Sequence, residues 1–237
     1  MPETVRRGFV PEDWREFGKE AQKALRAAER DIFYLVNRGY GTNQSVAFVG
    51  NRFQFSARQR TALTRATCTE KELAVRRAKE LSGSLFGRTL FVDGFNLIIT
   101  LEAALSGSTV LLCMDGTLRD LCGLRGTYRL IDKTDEALRL ISLTLRELRV
   151  EEAVFVLDAP VSNSGRLKQK ILKTLSGDFS VDVRLTECAD SLLAKSGCVA
   201  TSDSIILNRC GDWVNLAGLI LKEQLPDFET VDLSLSD

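Results

Sequence analysis

From Glu12 to Val36 apolar residues recur at spacings of three and four: Phe17, Ala21, Ala24, Leu25, Ala28, Ile32, Leu35 and Val36. That period predicts an amphipathic helix. Asn37-Arg-Gly39 stops it, because Gly39 can take the left-handed cap conformation. Ser45-Val-Ala-Phe-Val-Gly50 is a short apolar segment. Ser56 can cap a helix that starts at Ala57 and carries Arg58, Arg60 and Arg65. Thr69, with Glu72 three residues on, has capping-box spacing and opens a helix to Leu81. Ser82-Gly-Ser-Leu-Phe-Gly87 reads as a linker and divides a mainly helical module, 1–86, from the remainder, 87–237.

Beyond the linker the pattern becomes an alternation of strands and helices. Strands are predicted over Arg88–Asp93, Thr109–Met114, Ala153–Leu157, Ser180–Leu185 and Cys198–Thr201. Helices are predicted over Leu97–Leu105, from Asp132 or Thr134 to Leu148, and over Gly165–Leu175, Asp190–Lys195 and Asn215–Lys222. Such alternation implies a parallel α/β sheet with helices on both faces. Pro226 to Asp237 is acidic, with one edge strand and a loose end.

Charge changes the picture more than composition does. The net charge is zero, yet residues 1–85 hold 16 Lys and Arg against 10 Asp and Glu, a balance of +6, and the rest is −6. Ile32 to Thr69 has no acid but carries Arg38, Arg52, Arg58, Arg60 and Arg65. A basic part beside an acidic part fits a polyanion grip next to a metal site, although a solvated helix face explains the arginines as well. No apolar stretch is long enough to span a bilayer and the N-terminus lacks a signal-peptide core, so a cytoplasmic protein is expected. Six cysteines without a C-x-x-C pair, and no histidine, disfavour zinc sites and any imidazole base.

The candidate chemistry lies in four aspartates that follow or open predicted elements: Asp93, Asp158, Asp190 and Asp203. Carboxylates from separate strand ends converge at the carboxyl edge of a parallel sheet. They repel one another unless a hard cation lies among them, which suggests Mg²⁺ or Mn²⁺. In Val92-Asp-Gly-Phe-Asn96, Gly94 permits a sharp turn and Asn96 can hydrogen-bond a carboxylate; an ordinary Asp-Gly turn with Asn96 as cap is the plainer reading.

These residues resemble the PIN/NYN superfamily of metal-dependent ribonucleases. Those domains open with a strand ending Val-Asp-Gly-x-Asn and place later acids at a middle strand end, a helix start and a strand ending Thr/Ser-x-Asp. The resemblance covers Arg88 to Leu221. It implies a PIN-like Rossmannoid domain with Asp93, Asp158, Asp190 and Asp203 as the acidic metal cluster, supported by Asn96 and by Thr201 or Ser202. The chain departs in Ala159-Pro-Val-Ser-Asn-Ser-Gly165, and only Glu102 could match the usual second-helix acid. Phe33-Tyr-Leu-Val-Asn-Arg-Gly39, Val49-Gly-Asn-Arg-Phe53 and Gln59-Arg60 resemble the N-terminal module of an uncharacterised prokaryotic family that precedes such a domain.

Other segments add contacts for nucleic acid. Ser162, Asn163 and Ser164, followed by Arg166 and Lys168, can form a phosphate-contacting loop at a helix N-terminus, or a plain Ser-rich turn with Ser164 as cap. Leu111-Leu-Cys-Met-Asp-Gly-Thr-Leu118 imitates a phosphatase signature, but Cys113 stands where the nucleophilic aspartate belongs. Asp115 remains a further strand-end acid, and Arg125 and Arg129 lie in a Gly-rich stretch able to hold a backbone. The expected function is a divalent-metal-dependent endoribonuclease acting on RNA, or on DNA, with a homodimer open. A non-catalytic nucleic-acid-binding protein with a degenerate PIN-like domain is the alternative, and a phosphatase on small esters is another.

Overall fold

In a computed structural model, residues 5–123, 126–175 and 179–234 are described. The helical stripe after Glu12 is interrupted: α1 (Asp13–Glu16) and α2 (Lys19–Asn37) are separated by Gly18, which caps α2 in extended geometry. A β-carbon at Gly18 would stand 2.6 Å from the Trp14 carbonyl oxygen, so the chain turns where only glycine fits. The apolar Ser45–Gly50 stretch is the middle of α3 (Thr42–Arg52), not a short separate segment. The predicted Thr69–Glu72 capping box opens α5 (Glu70–Lys79), and the predicted Ser56 cap of α4 (Ala57–Ala66) is itself a capping box, completed by Gln59. Each satisfies amide donors that a helix start would otherwise leave bare, worth about 1 kcal/mol.

The chain then enters β1 (Thr89–Asp93) and the central helix α6 (Gly94–Leu105). After these come β2 (Val110–Leu112), β3 (Leu118–Asp120), α7 (Lys133–Glu147), β4 (Glu152–Asp158) and α8 (Ser164–Thr174). The remainder is β5 (Ser180–Thr186), α9 (Ala189–Leu193), β6 (Cys198–Ala200), α10 (Ser204–Arg209), β7 (Asp212–Val214), α11 (Leu216–Gln224) and β8 (Val231–Asp232). A five-stranded sheet has the order β5-β4-β1-β6-β7, with every pairing parallel. Its middle strands are apolar without alternation because both faces are covered; Ala153 to Leu157 are all buried.

A second sheet was not foreseen. It has the order β3-β2-β8, and β2, expected to join the main sheet, pairs antiparallel with β3 and parallel with β8. The Asp115-Gly116 turn closes the β2–β3 hairpin, with Gly116 at φ +78°. Helix α6 is buried on nearly all sides because it touches strands of both sheets as well as α7 and α11. The N-terminal helices share their core with the small sheet: Leu25, Ile32, Val46 and Leu63 pack with Leu111, Cys113, Leu121, Val231 and Leu233. Among the described residues no helix is long and apolar enough to cross a membrane.

Candidate functional site

In an open parallel sheet, ligands bind beyond the carboxyl ends of the strands, where successive connections diverge. Here β4 flanks β1 on one side and β6 on the other. A cleft of about 490 Å³ opens at that point, and Asp93, Asp158, Asp190 and Asp203 all line it. Its opposite wall comes from the N-terminal helices, through Thr64, Arg65 and Thr67.

Asp93 ends β1, and the turn into α6 is tight. A β-carbon on Gly94 would lie 2.5 Å from Leu157 Cδ2, so the Asp-Gly pair lets the helix start close against β4. The Thr201 hydroxyl donates to Asp93 Oδ2 at 2.7 Å. Burial pushes the Asp93 carboxyl up to about 7; Thr201 opposes this, while Asp203 and Asp190 add repulsion. Asp190, in the first turn of α9, is likewise raised, by burial first and then by Asp203 and Asp158. Mutual repulsion of this kind is the sign of carboxylates sharing one site.

The remaining two acids are held by backbone amides. Asp158 Oδ1 accepts from the Ala189 amide at 2.9 Å, tying the end of β4 to the start of α9. Asp203 caps α10 and accepts from the amides of Ile205 and Ile206. Asn96 braces the same turn: its Oδ1 accepts from the Ser202 amide at 3.0 Å and from the Ser202 hydroxyl at 2.9 Å. The four acids offer the cleft oxygen donors, which suit a hard divalent cation. Among the described residues no three His, Cys, Asp or Glu side chains stand as a ready coordination set, so the carboxylates surround the cleft rather than meet at a point.

Asp115 does not reach the cleft; it stands behind it with a side chain at 0% exposure. Its Oδ2 accepts from Arg76 at 2.6 Å and Arg119 at 2.7 Å, and its Oδ1 from the Thr117 hydroxyl at 2.6 Å. Burial pushes its carboxyl up, but Arg119, Thr117 and Arg76 together hold it below the usual carboxylate range. Arg119 then donates to the Ser202 carbonyl, and Arg76 to the Asn208 side chain at 2.8 Å. The acid is a hub for the turn that carries Asp203.

The expected nucleic-acid contacts divide. Arg65 lines the cleft, donating to the Asp120 and Cys122 carbonyls. Arg58 is spent on a two-pronged pair with Asp13 at 2.6 and 2.7 Å, and is thereby corrected from a surface grip to a brace. Arg60 lies across Gly50 and donates to the Ala47 carbonyl and Asn51. Arg52 is exposed and faces Asp31 at 3.5 Å. The Ser162-Asn163-Ser164 loop does not line the cleft: the Ser162 amide donates to Gly126, left-handed Asn163 to the Tyr128 carbonyl, and Ser164 to Ala159. Its polar groups serve the fold, which corrects the phosphate-loop expectation. Arg129 and Arg166 are exposed away from the cleft lining, Lys168 donates to the Val183 carbonyl, and Arg125 lies outside the described residues.

Glu102, the one match for a second-helix acid, is buried on α6, where it accepts from Tyr128, Thr134 and Arg7. Asp120 is a cleft residue that sequence reasoning missed. Its signal was the Asp-Gly turn between two apolar runs, which marks a hairpin whose second strand ends at Asp120.

Comparison with known proteins adds relatives without a described activity. Residues 82–219 match a domain of unknown function, DUF5616, and residues 24–79 match a protein family of unknown function, DUF434. The chain is similar to the uncharacterized protein MJ0935 of Methanocaldococcus jannaschii, 35% identical over 188 residues, which cover 78% of this chain and 89% of that protein. No solved structure matches.

Proposed function

The chain belongs to the DUF5616 family, and we propose that it is a divalent-metal-dependent endoribonuclease whose C-terminal part is a PIN-like domain. The observation that carries this reading is the convergence of Asp93, Asp158, Asp190 and Asp203 on one cleft at the carboxyl edge of the parallel sheet. Four carboxylates there, two of them raised by burial first and then by neighbouring carboxylates, are costly without a cation to offset them.

Mg²⁺ or Mn²⁺ would be held by those four aspartates, both ions being suited to oxygen donors. The ion would supply charge neutralisation at the phosphate and a more acidic water. The chain's own residues do the rest. Thr201 and Asn96 fix Asp93 and the Ser202 turn, so the carboxylates keep their placement. Arg65, on the opposite wall, faces the phosphodiester with a positive charge. Hydrolysis forms one P–O bond from water and breaks another, and the attacking water must lose a proton. With no histidine in the chain and the four aspartates given to the cation, solvent water is the acceptor for that proton.

The test is incubation of the purified protein with single-stranded and structured RNA plus Mn²⁺, beside an Asp93→Asn/Asp203→Asn double variant. Metal-dependent cleavage lost in the variant is the expected result; intact RNA with both proteins would overturn it. A second reading, a non-catalytic nucleic-acid-binding protein, draws support from the carboxylates not standing as a ready coordination set. It requires RNA binding that neither metal nor the double variant alters.

A further inference from the structure

A second, shallower groove of about 360 Å³ runs between α3 and α4, and Asn43, Ala47, Arg60 and Thr61 line it. Thr64 and Arg65 belong to this groove and to the acidic cleft alike. The two depressions therefore adjoin at the C-terminal half of α4, one at the sheet edge and the other on the N-terminal helices. The electrostatics change between them. The cleft end carries the aspartates, whereas the lining of the groove has Arg60 and Arg65 and no acid.

The groove is built rather than incidental. Arg60 is held by three hydrogen bonds, to the Phe55 and Ala47 carbonyls and to Asn51, and rests on Gly50, where a β-carbon would stand 2.9 Å from its Nη1. Asn43 and Thr61, by contrast, are exposed on the two rims. Thr61 donates only within its own helix, to the Ala57 carbonyl. The arrangement leaves a track with fixed positive charge, polar rims and methyl groups between them, meeting the candidate active site at Thr64 and Arg65.

We infer that this track binds the single-stranded RNA flank that leaves the cleft, making the N-terminal helices a substrate-binding extension of the site. The inference rests on the nuclease reading for its choice of ligand. The positive charge attracts the backbone, and the apolar lining accepts ribose and base surfaces. The track gives the protein a reason to prefer long strands: a short one fills the cleft, and a longer one gains the groove.

Binding is measured by fluorescence anisotropy on the full chain in EDTA, with labelled single-stranded RNAs of about 5 and about 20 nucleotides. Asn43→Glu/Thr61→Glu places two acids on the rims and touches no residue of the cleft. The expected result is tighter binding of the long RNA by the unaltered protein, weakened about tenfold in Asn43→Glu/Thr61→Glu, with an unchanged melting temperature. Asp93→Asn/Asp203→Asn is expected to retain the long-strand preference. Equal affinity for both lengths, no RNA binding at low salt, or full affinity in the rim variant would overturn the inference. The two readings fail separately. Groove-dependent binding without Mn²⁺-dependent cleavage removes the nuclease and keeps the track, and cleavage indifferent to strand length and to the rim variant does the reverse.

Discussion

Arg119 Nε donates to the Ser202 carbonyl oxygen at 2.7 Å, joining a strand of the small sheet to the turn that carries Asp203. The same guanidinium is held from behind by Asp115, which also holds Arg76 of α5. Three elements distant in the chain thus set the position of one edge of the cleft.

Asp115→Asn should therefore be strongly destabilising. It leaves the Arg119 guanidinium buried without its counter-charge and Arg76 with only Glu72 at 3.7 Å, a loss of about 3 kcal/mol. The Trp213 indole, buried and donating to the Arg76 carbonyl, reports the effect as an earlier urea transition in fluorescence. A midpoint equal to that of the unaltered protein would show that the hub carries no stability.

Asp93→Asn should move stability in the opposite direction when no cation is present. It removes a charge that burial, Asp203 and Asp190 all disfavour, while Thr201 can still donate to the amide oxygen. A rise of about 1 kcal/mol is expected without metal at about pH 8, where the carboxyl is charged, and is lost below about pH 4. Adding Mn²⁺ at about 100 times its dissociation constant should stabilise the unaltered protein by about 2.7 kcal/mol and this variant much less. Equal thermal shifts in both proteins would remove Asp93 from the cation site.

Glu29 supplies a pH dependence of known sign. It is 2% exposed on α2, one carboxylate oxygen has no hydrogen-bond partner, and its carboxyl is pushed up to about 9 by burial and by Asp232, against Arg26. The folded protein thus holds this proton more tightly than the unfolded chain. Its contribution is fully present below about pH 4.5 and is lost as pH rises toward about 9, at up to about 1.4 kcal/mol per pH unit. Glu29→Gln, permanently neutral, should melt higher than the unaltered protein at about pH 8 and alike at about pH 4.5. Parallel melting curves across that interval would refute the assignment.

Gly94→Ala tests the close start of α6. The added carbon meets Leu157 Cδ2 at 2.5 Å and the Val156 carbonyl oxygen at 3.3 Å, so the helix must shift, at a cost of about 1–3 kcal/mol. Because Asp93 is the preceding residue, the proposed metal-dependent cleavage of RNA should fall as well. Gly165→Ala is the comparison: a β-carbon there meets nothing within 4 Å, and a gain of about 0.5 kcal/mol is expected in chemical denaturation.

Much of this architecture was legible in local pattern. The Ser56 cap, the Thr69–Glu72 capping box, the apolar runs of β1 and β4 and the alternation of β5 each use signals carried within a few residues. The four cleft aspartates were legible for the same reason: each follows a strand or opens a helix, and a parallel sheet brings such positions to one edge. Long-range partners were not legible. Nothing near Asp115 announces that Arg76 will neutralise it, and nothing near Val110 announces that β8 will pair with β2. Helix α10 and strand β7 are too short for a period to emerge; Asp203 reads as an acid first and a helix cap second. Arg58 shows the limit of charge counting, since its value depends on Asp13 lying opposite.

The small sheet also orders events in time. Helices α2 to α4 emerge early from the ribosome, but the face they cover is completed by Val231 and Leu233, which are synthesised after both sheets' other strands. Until then these helices present Ile32, Val46 and Leu63 to solvent or to a chaperone, as incomplete cores do. The basic helices that wall the acidic cleft thus complete their core only with the last strand of the chain's described residues.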